Sequence, residues 1–129
     1  MNYKKLSIII PVYNEAKTID SLIKLVEVAP LNLEKEIILV DDGSTDDSSG
    51  VLKNYSSKYK VISLEKNWGK GKAIRAGFKE ANGDIVLIQD ADLEYDPKDY
   101  RLLIRPIIEG RADVVYGSRF SGSGPHRVV

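Results

Sequence analysis

Apolar residues along this chain gather in five short runs: LSIIIPV (6–12), EIILVD (36–41), KVISLE (60–65), DIVLIQ (84–89) and DVVYGS (113–118). Each is rich in β-branched residues and nearly continuous. A strand with one wet face would alternate; a continuous run marks a strand buried on both faces, hence a mostly parallel sheet. Between the runs the period changes. Ile19, Leu22, Ile23 and Val26 recur at helical spacing, Val51, Leu52 and Tyr55 form a shorter stripe, and Ile74, Gly77, Phe78 and Ala81 a third. GSTDD offers Ser44, Thr45 or Asp46 as N-cap of the second helix. Asp96-Pro97 reads as cap and first residue of a further helix, with Leu103 and Ile104 inward and Pro106 expected to kink or end it. Strand and helix alternate throughout. The pattern predicts an α/β fold: an open, mostly parallel sheet with helices on both faces, three layers deep, joined by right-handed crossovers.

GSRFSGSGPHRVV at the end runs through a glycine-serine loop, then begins a new apolar segment and stops. A domain rarely ends by starting an element, so one domain over 1–129, truncated at its C-terminus, is expected. Its 129 residues, 43% of them apolar, suffice for a single core. With 19 basic and 19 acidic residues, bulk charge gives no hold on nucleic acid. The absence of cysteine excludes disulfides, thiolate metal sites and cysteine nucleophiles. No apolar run approaches the roughly 20 residues of a membrane span. The run in MNYKKLSIII stops at Pro11 with no cleavage site after it, so it reads as a first strand and not a signal peptide, and the default compartment is the cytoplasm.

Open parallel sheets bind ligands at the carboxyl ends of their strands. Three polar clusters fall there: PVYNE (11–15), VDDGSTDD (40–47) and QDADLEYD (89–96). Asp90 and Asp92 stand two apart, so on extended backbone they point the same way. Two adjacent carboxylates repel unless a cation lies between them. A hard divalent ion, Mg2+ or Mn2+, suits such oxygens and often joins them to substrate phosphates. Glu94 keeps the same parity and is a further candidate ligand. The plainer alternative, a solvated acidic turn capping the next helix, fits Asp96 before Pro97. Asp41 and Asp42 end the second run. One can cap the following helix, or accept from a base N–H or ribose hydroxyl, and the residues alone leave both open. Lys66, Lys70, Lys72 and Arg75 open the third helix, where an anion is favoured. Lys72 is taken as a substrate contact, whereas Lys66 and Lys79 read as a solvated face. Arg119, past the fifth run, suits a phosphate held bidentately. His126, the sole histidine, reads as a loop residue, and no serine has a histidine placed to activate it.

SIIIPVYNE, EIILVDDGSTDDS, NWGKGKAIRAGF, GDIVLIQDADLEYDP and ADVVYGSRF, in this order, resemble the successive motifs of family 2 glycosyltransferases, in particular the polyprenyl-phosphate (dolichol-phosphate) mannose or glucose synthase branch. The resemblance covers nearly the whole chain. It implies the Rossmann-like GT-A fold and a nucleotide-sugar site. It places Pro11, Tyr13 and Glu15 against the nucleoside and Asp42 on the base. Asp90-Ala91-Asp92 becomes the DxD element, with Asp90, Asp92 and Glu94 around Mg2+ or Mn2+, and Arg119 faces the acceptor phosphate. Asp92 and Arg119 are thus the catalytic candidates. The implied reaction is metal-dependent, inverting transfer of a hexose from a GDP-mannose or UDP-glucose type donor to a polyprenyl phosphate, with the acceptor-side portion of the domain beyond this chain. The full-length protein would then work at the cytoplasmic face of a membrane as a peripheral protein. The alternatives are a glycan acceptor or a fragment that binds nucleotide without turnover. A nucleotidyltransferase needs a glycine- and lysine-rich loop after the first strand, and PVYNEAKTID has no glycine. The dinucleotide fingerprint is likewise missing there.

Overall fold

The computed structural model describes residues 2–91, 96–110 and 127–128. Four parallel strands, β1 (Lys5–Val12), β2 (Glu34–Asp41), β3 (Lys60–Ser63) and β4 (Ile85–Ile88), and a two-residue β5 (Arg127–Val128) form one sheet of order β3-β2-β1-β4-β5. The helices are α1 (Ile19–Val28), α2 (Ser48–Lys53), α3 (Lys70–Glu80) and α4 (Tyr100–Ile108), the last preceded by a 3-10 turn over Pro97–Asp99. Four of the five apolar runs are therefore strands. The run at 113–118 lies outside the described residues.

The continuous apolar runs serve two faces at once. Leu6, Ile8, Ile10 and Val12 of β1 pack with Ile37, Leu39, Ile85 and Leu87 against α1, α2 and α4. The alternate residues, Ile9, Ile38, Val40 and Val86, pack against Ala73 and Ala81 at the two ends of α3. This gives the expected three layers. The α1 stripe is as the spacing predicts, with Ile19, Leu22, Ile23 and Val26 buried and Asp20 favouring the positive end of the helix. Gly77 explains how close α3 lies: a Cβ there would stand 2.7 Å from Cγ2 of Ile9 and 3.2 Å from Cγ2 of Val40.

Pro106 does not end its helix, which runs on to Ile108 with Glu109 N–H donating to the carbonyl of Arg105 at 2.9 Å. The helical bond Pro106 cannot make would have gone to Leu102, a residue on the exposed side of the helix. Asp96 caps the 3-10 turn as expected, accepting from the Lys98 amide at 3.1 Å. At the opposite end of the sheet, Asp84 Oδ2 accepts the amides of Lys4 (2.8 Å) and Lys5 (3.0 Å), which hold its carboxyl below the ordinary value.

Three outcomes are expected. Gly77→Ala should destabilise by about 1–3 kcal/mol through overpacking, despite the better helix propensity of alanine. Gly71→Ala, where a Cβ meets nothing within 4 Å, should be neutral or stabilising in the same denaturant titration. For Asp84, whose folded pKa is depressed, the stabilisation is present above the unfolded carboxyl value near ~3.9 and lost as pH falls through the folded value. Asp84→Asn should therefore flatten the fall of the denaturation midpoint below about pH 4, and parallel curves for the two proteins would refute the assignment.

Candidate functional site

The site begins where pairing stops. Ile9 of β1 accepts from Gln89 N–H at 2.9 Å, the last bond between β1 and the chain leaving β4. Peptide groups alternate sides along a strand, so two residues on Pro11 faces the same edge with no N–H to give. Beyond that point β1 and β4 part, while Val12 still accepts from Asp42 N–H (2.8 Å) on the β2 side. Chain order runs outward in opposite directions from this gap, toward β2 and β3 on one side and β4 on the other. It is the switch point at which open α/β sheets bind ligands.

The gap is a cleft of about 160 Å³ lined by Pro11, Val12, Tyr13, Glu15, Asp42, Lys70, Asp90 and Ala91. Of the residues expected there, Pro11, Tyr13, Glu15, Asp42, Asp90 and Ala91 are brought together. Lys72 is not in the lining: its Nζ lies 3.8 Å from the centre of the Trp68 ring, and Lys66 Nζ lies 4.1 Å from the same centre. The lining lysine is Lys70. Asp92, Glu94, Arg119 and His126 lie outside the described residues. Ligand sites run to roughly 300–1,000 Å³, so the cleft formed by the described residues is smaller than a usual small-molecule site.

The two adjacent carboxylates after β2 have separate tasks because alternate residues face alternate sides. Asp41, on the side of α2, accepts from Ser44 N–H at 3.0 Å and from the Ser49 hydroxyl, and so staples the turn into α2. Asp42, on the side of α3, accepts from the amides of Trp68 (3.0 Å) and Gly69 (3.2 Å) just before that helix. Gly43 makes this approach feasible, since a Cβ at its φ of +68° would stand 2.2 Å from the Lys66 carbonyl carbon. Asp47 occupies the N-cap position of α2 without a capping bond from its side chain, and Asp46 Oδ1 takes the Ser48 amide at 2.8 Å instead. Contacts from Ser48, side chain first and main chain after it, hold the Asp46 carboxyl below its ordinary value.

Asn14 is a site residue the sequence reading missed. At φ 53° its Oδ1 accepts the amides of Thr45 (2.8 Å) and Asp46 (3.2 Å), while its own amide donates to Ser44 Oγ at 3.0 Å. Glu15 N–H adds a bond to Ser48 Oγ at 2.8 Å. The two loops are thus locked together. The available signal was an asparagine just past a strand end, the residue that enters the left-handed region at least cost after glycine.

Asp90 is 6% exposed, and its Oδ1 is the buried side-chain oxygen among the described residues that accepts no hydrogen bond. Its counter-charge is Lys70 Nζ, an ion pair without directed hydrogen-bond geometry. The neighbouring Gln89 is fully buried, accepting from the Tyr100 hydroxyl at 2.7 Å and donating from Nε2 to the Asp90 carbonyl at 3.2 Å. A buried carboxylate at a cleft, met among the described residues by one half-exposed ammonium, offers oxygen that suits a hard divalent cation. No three potential ligands converge among the described residues, so Asp90 would supply one of several.

The family model for glycosyl transferase family 2 matches residues 7–127. The chain is 40% identical over 122 residues to a dolichol-phosphate mannosyltransferase of Pyrococcus furiosus, covering 93% of this chain and 34% of that protein. It spans about a third of the length of the curated relatives it matches. Among solved structures it resembles S. aureus TarS 1–349 in complex with UDP-GlcNAc (TM-score 0.66, 31% identity, 92% of this chain and 37% of that one). It also resembles the mannosyltransferase PcManGT from Pyrobaculum calidifontis in complex with GDP-Man and Mn2+ (TM-score 0.63, 25% identity, 71% and 28%). With the fold, the switch-point cleft and a family match over almost its whole length, the chain belongs to glycosyl transferase family 2.

Proposed function

We propose that this chain is the donor-binding part of a glycosyltransferase that moves a hexose, with inversion, from a nucleoside-diphosphate sugar to a polyprenyl phosphate. The observation that carries this is the convergence of Pro11, Tyr13, Glu15, Asp42 and Asp90 on one cleft at the switch point. The likeness to a dolichol-phosphate mannosyltransferase and to enzymes solved with GDP-Man and UDP-GlcNAc supports donor and acceptor class.

Each described residue has work to do in that reading. Tyr13, 41% exposed beside buried Pro11, offers a ring face to the nucleoside. Asp42 is 4% exposed and spends two acceptor positions on main-chain amides. A carboxylate has about four, so two remain for base N–H groups. The loop amides hold it in place, so its orientation costs nothing when the base arrives. Asp90, with Asp92 and Glu94, would hold Mg2+ or Mn2+, which as a Lewis acid offsets the charge of a departing diphosphate. Arg119 receives the acceptor phosphate. That acceptor is already an anion and attacks without a strong general base, which agrees with the absence of any histidine but His126.

Calorimetric titration with UDP and then GDP, each with and without Mn2+, tests the reading. Metal-dependent binding of one of them is the expected result, and a folded chain that binds neither would overturn it. Asp42→Ala should lower nucleoside-diphosphate affinity about tenfold, or ~1.4 kcal/mol, with a smaller loss for pyrophosphate. The same substitution should alter the emission of Trp68, the sole tryptophan, by releasing its amide. Equal losses for both ligands would make Asp42 a loop clamp and nothing more.

A further inference from the structure

Three carboxylates line the cleft, and each has a different partner. Asp42 is met by the Trp68 and Gly69 amides, Glu15 Oε2 accepts from the Thr18 hydroxyl at 3.3 Å, and Asp90 has the ammonium of Lys70. The position of Lys70 is not explained by its helix. It is the first residue of α3, at the positive end of the dipole, where a cation is disfavoured and where the first turn carries no acidic residue. Nor is it explained by packing, since its side chain is 54% exposed against 9% for Asp90. Lys66 and Lys72 on either side are drawn to Trp68, which leaves Lys70 as the lysine turned into the cleft.

We propose that Lys70 is an internal counter-ion of Asp90 that a divalent cation displaces, so that metal binding frees the ammonium for the anionic diphosphate of the donor. This rests on the reading of Asp90 as a metal ligand. The physics is charge balance. A buried carboxylate needs a partner, and two cations cannot share one carboxylate oxygen at contact distance without strong repulsion. A metal taking Asp90 Oδ1 therefore expels Lys70 Nζ. The freed group stays tethered at the head of α3, beside unpaired helix amides and next to the cleft, where an anion is attracted. The lysine thus weakens metal binding to the empty cleft and strengthens diphosphate binding to the metal-loaded one. A residue of merely structural importance would not move these two affinities in opposite directions.

The test is Mn2+ titration read by electron paramagnetic resonance of the free ion, together with calorimetry of nucleoside diphosphate at saturating Mn2+. Lys70→Met should bind Mn2+ about tenfold more tightly than the parent and nucleoside diphosphate about tenfold more weakly. Lys70→Arg, which keeps the charge, should stay close to the parent in both. Lys66→Met removes the same charge from the Trp68 ring and should leave Mn2+ affinity within about twofold, which separates contact from general electrostatics. A parent that binds Mn2+ with a Lys70→Met variant that binds it equally or less well would overturn the proposal while the metal reading stands. If Lys70→Arg behaves as Lys70→Met, or Lys66→Met tightens Mn2+ as much, the direct ion pair is not the cause and the proposal fails. If parent and variants, all folded by circular dichroism, leave Mn2+ free, the metal reading falls and takes this one with it.

Discussion

Everything at the site follows from the point at which β1 loses its partner. Up to Ile9 the strand is paired on both edges, and its backbone has no polar group to spare. From Pro11 onward the β4 edge is open, and proline is the residue that leaves no N–H stranded there. The opening lies at the end of β1, buried from Leu6 to Val12, so its floor is fixed by the core itself. The loops after β1, β2 and β4 are thereby delivered to a common rim. Asn14 then ties the loop after β1 to the loop after β2, and Asp42 ties the latter to the segment before α3.

The carboxylates around that rim form a graded series. Asp41 is consumed by a turn. Asp42 accepts two main-chain amides and lines the cleft. Asp90 Oδ1 is met by the Lys70 ammonium and, among the described residues, by no directed hydrogen bond. Burying an ion costs several kcal/mol unless partners replace its water, so Asp90 leans on the Lys70 ammonium where Asp41 leans on the hydrogen bonds of a turn. The buried Gln89 and Tyr100 hold the main chain at Asp90, from which its carboxylate reaches the cleft.

Much of this was legible in the residues. Continuous β-branched runs gave the doubly buried strands because burial on both faces removes alternation. The α1 stripe was legible because four apolar residues repeat at helical spacing. What escaped has physical causes. Helical continuation through Pro106 depends on how the helix sits on the sheet, with Leu102 one turn back on its exposed side, and no local pattern encodes that. Asp41 and Asp42 are indistinguishable in composition; their division follows from which face of β2 meets α2 and which meets α3. Lys70 and Lys72 are two apart on a helix and so point to opposite sides, and the choice between them rests on where Trp68 and Asp90 lie in space. Asn14 was hidden because its role is a backbone conformation, carried by a residue type that is common in any loop.

One border of the sheet is β3, only four residues long. It opens on Lys60, whose ammonium donates to the Glu80 carbonyl at 2.9 Å and pairs with Glu36 at 3.5 Å. A border so brief, beginning with a charged residue tied back across the sheet, presents few unpaired amides in register to a neighbouring molecule. On that side the sheet offers little template for a further strand, while the cleft lies at the carboxyl end of its central strands.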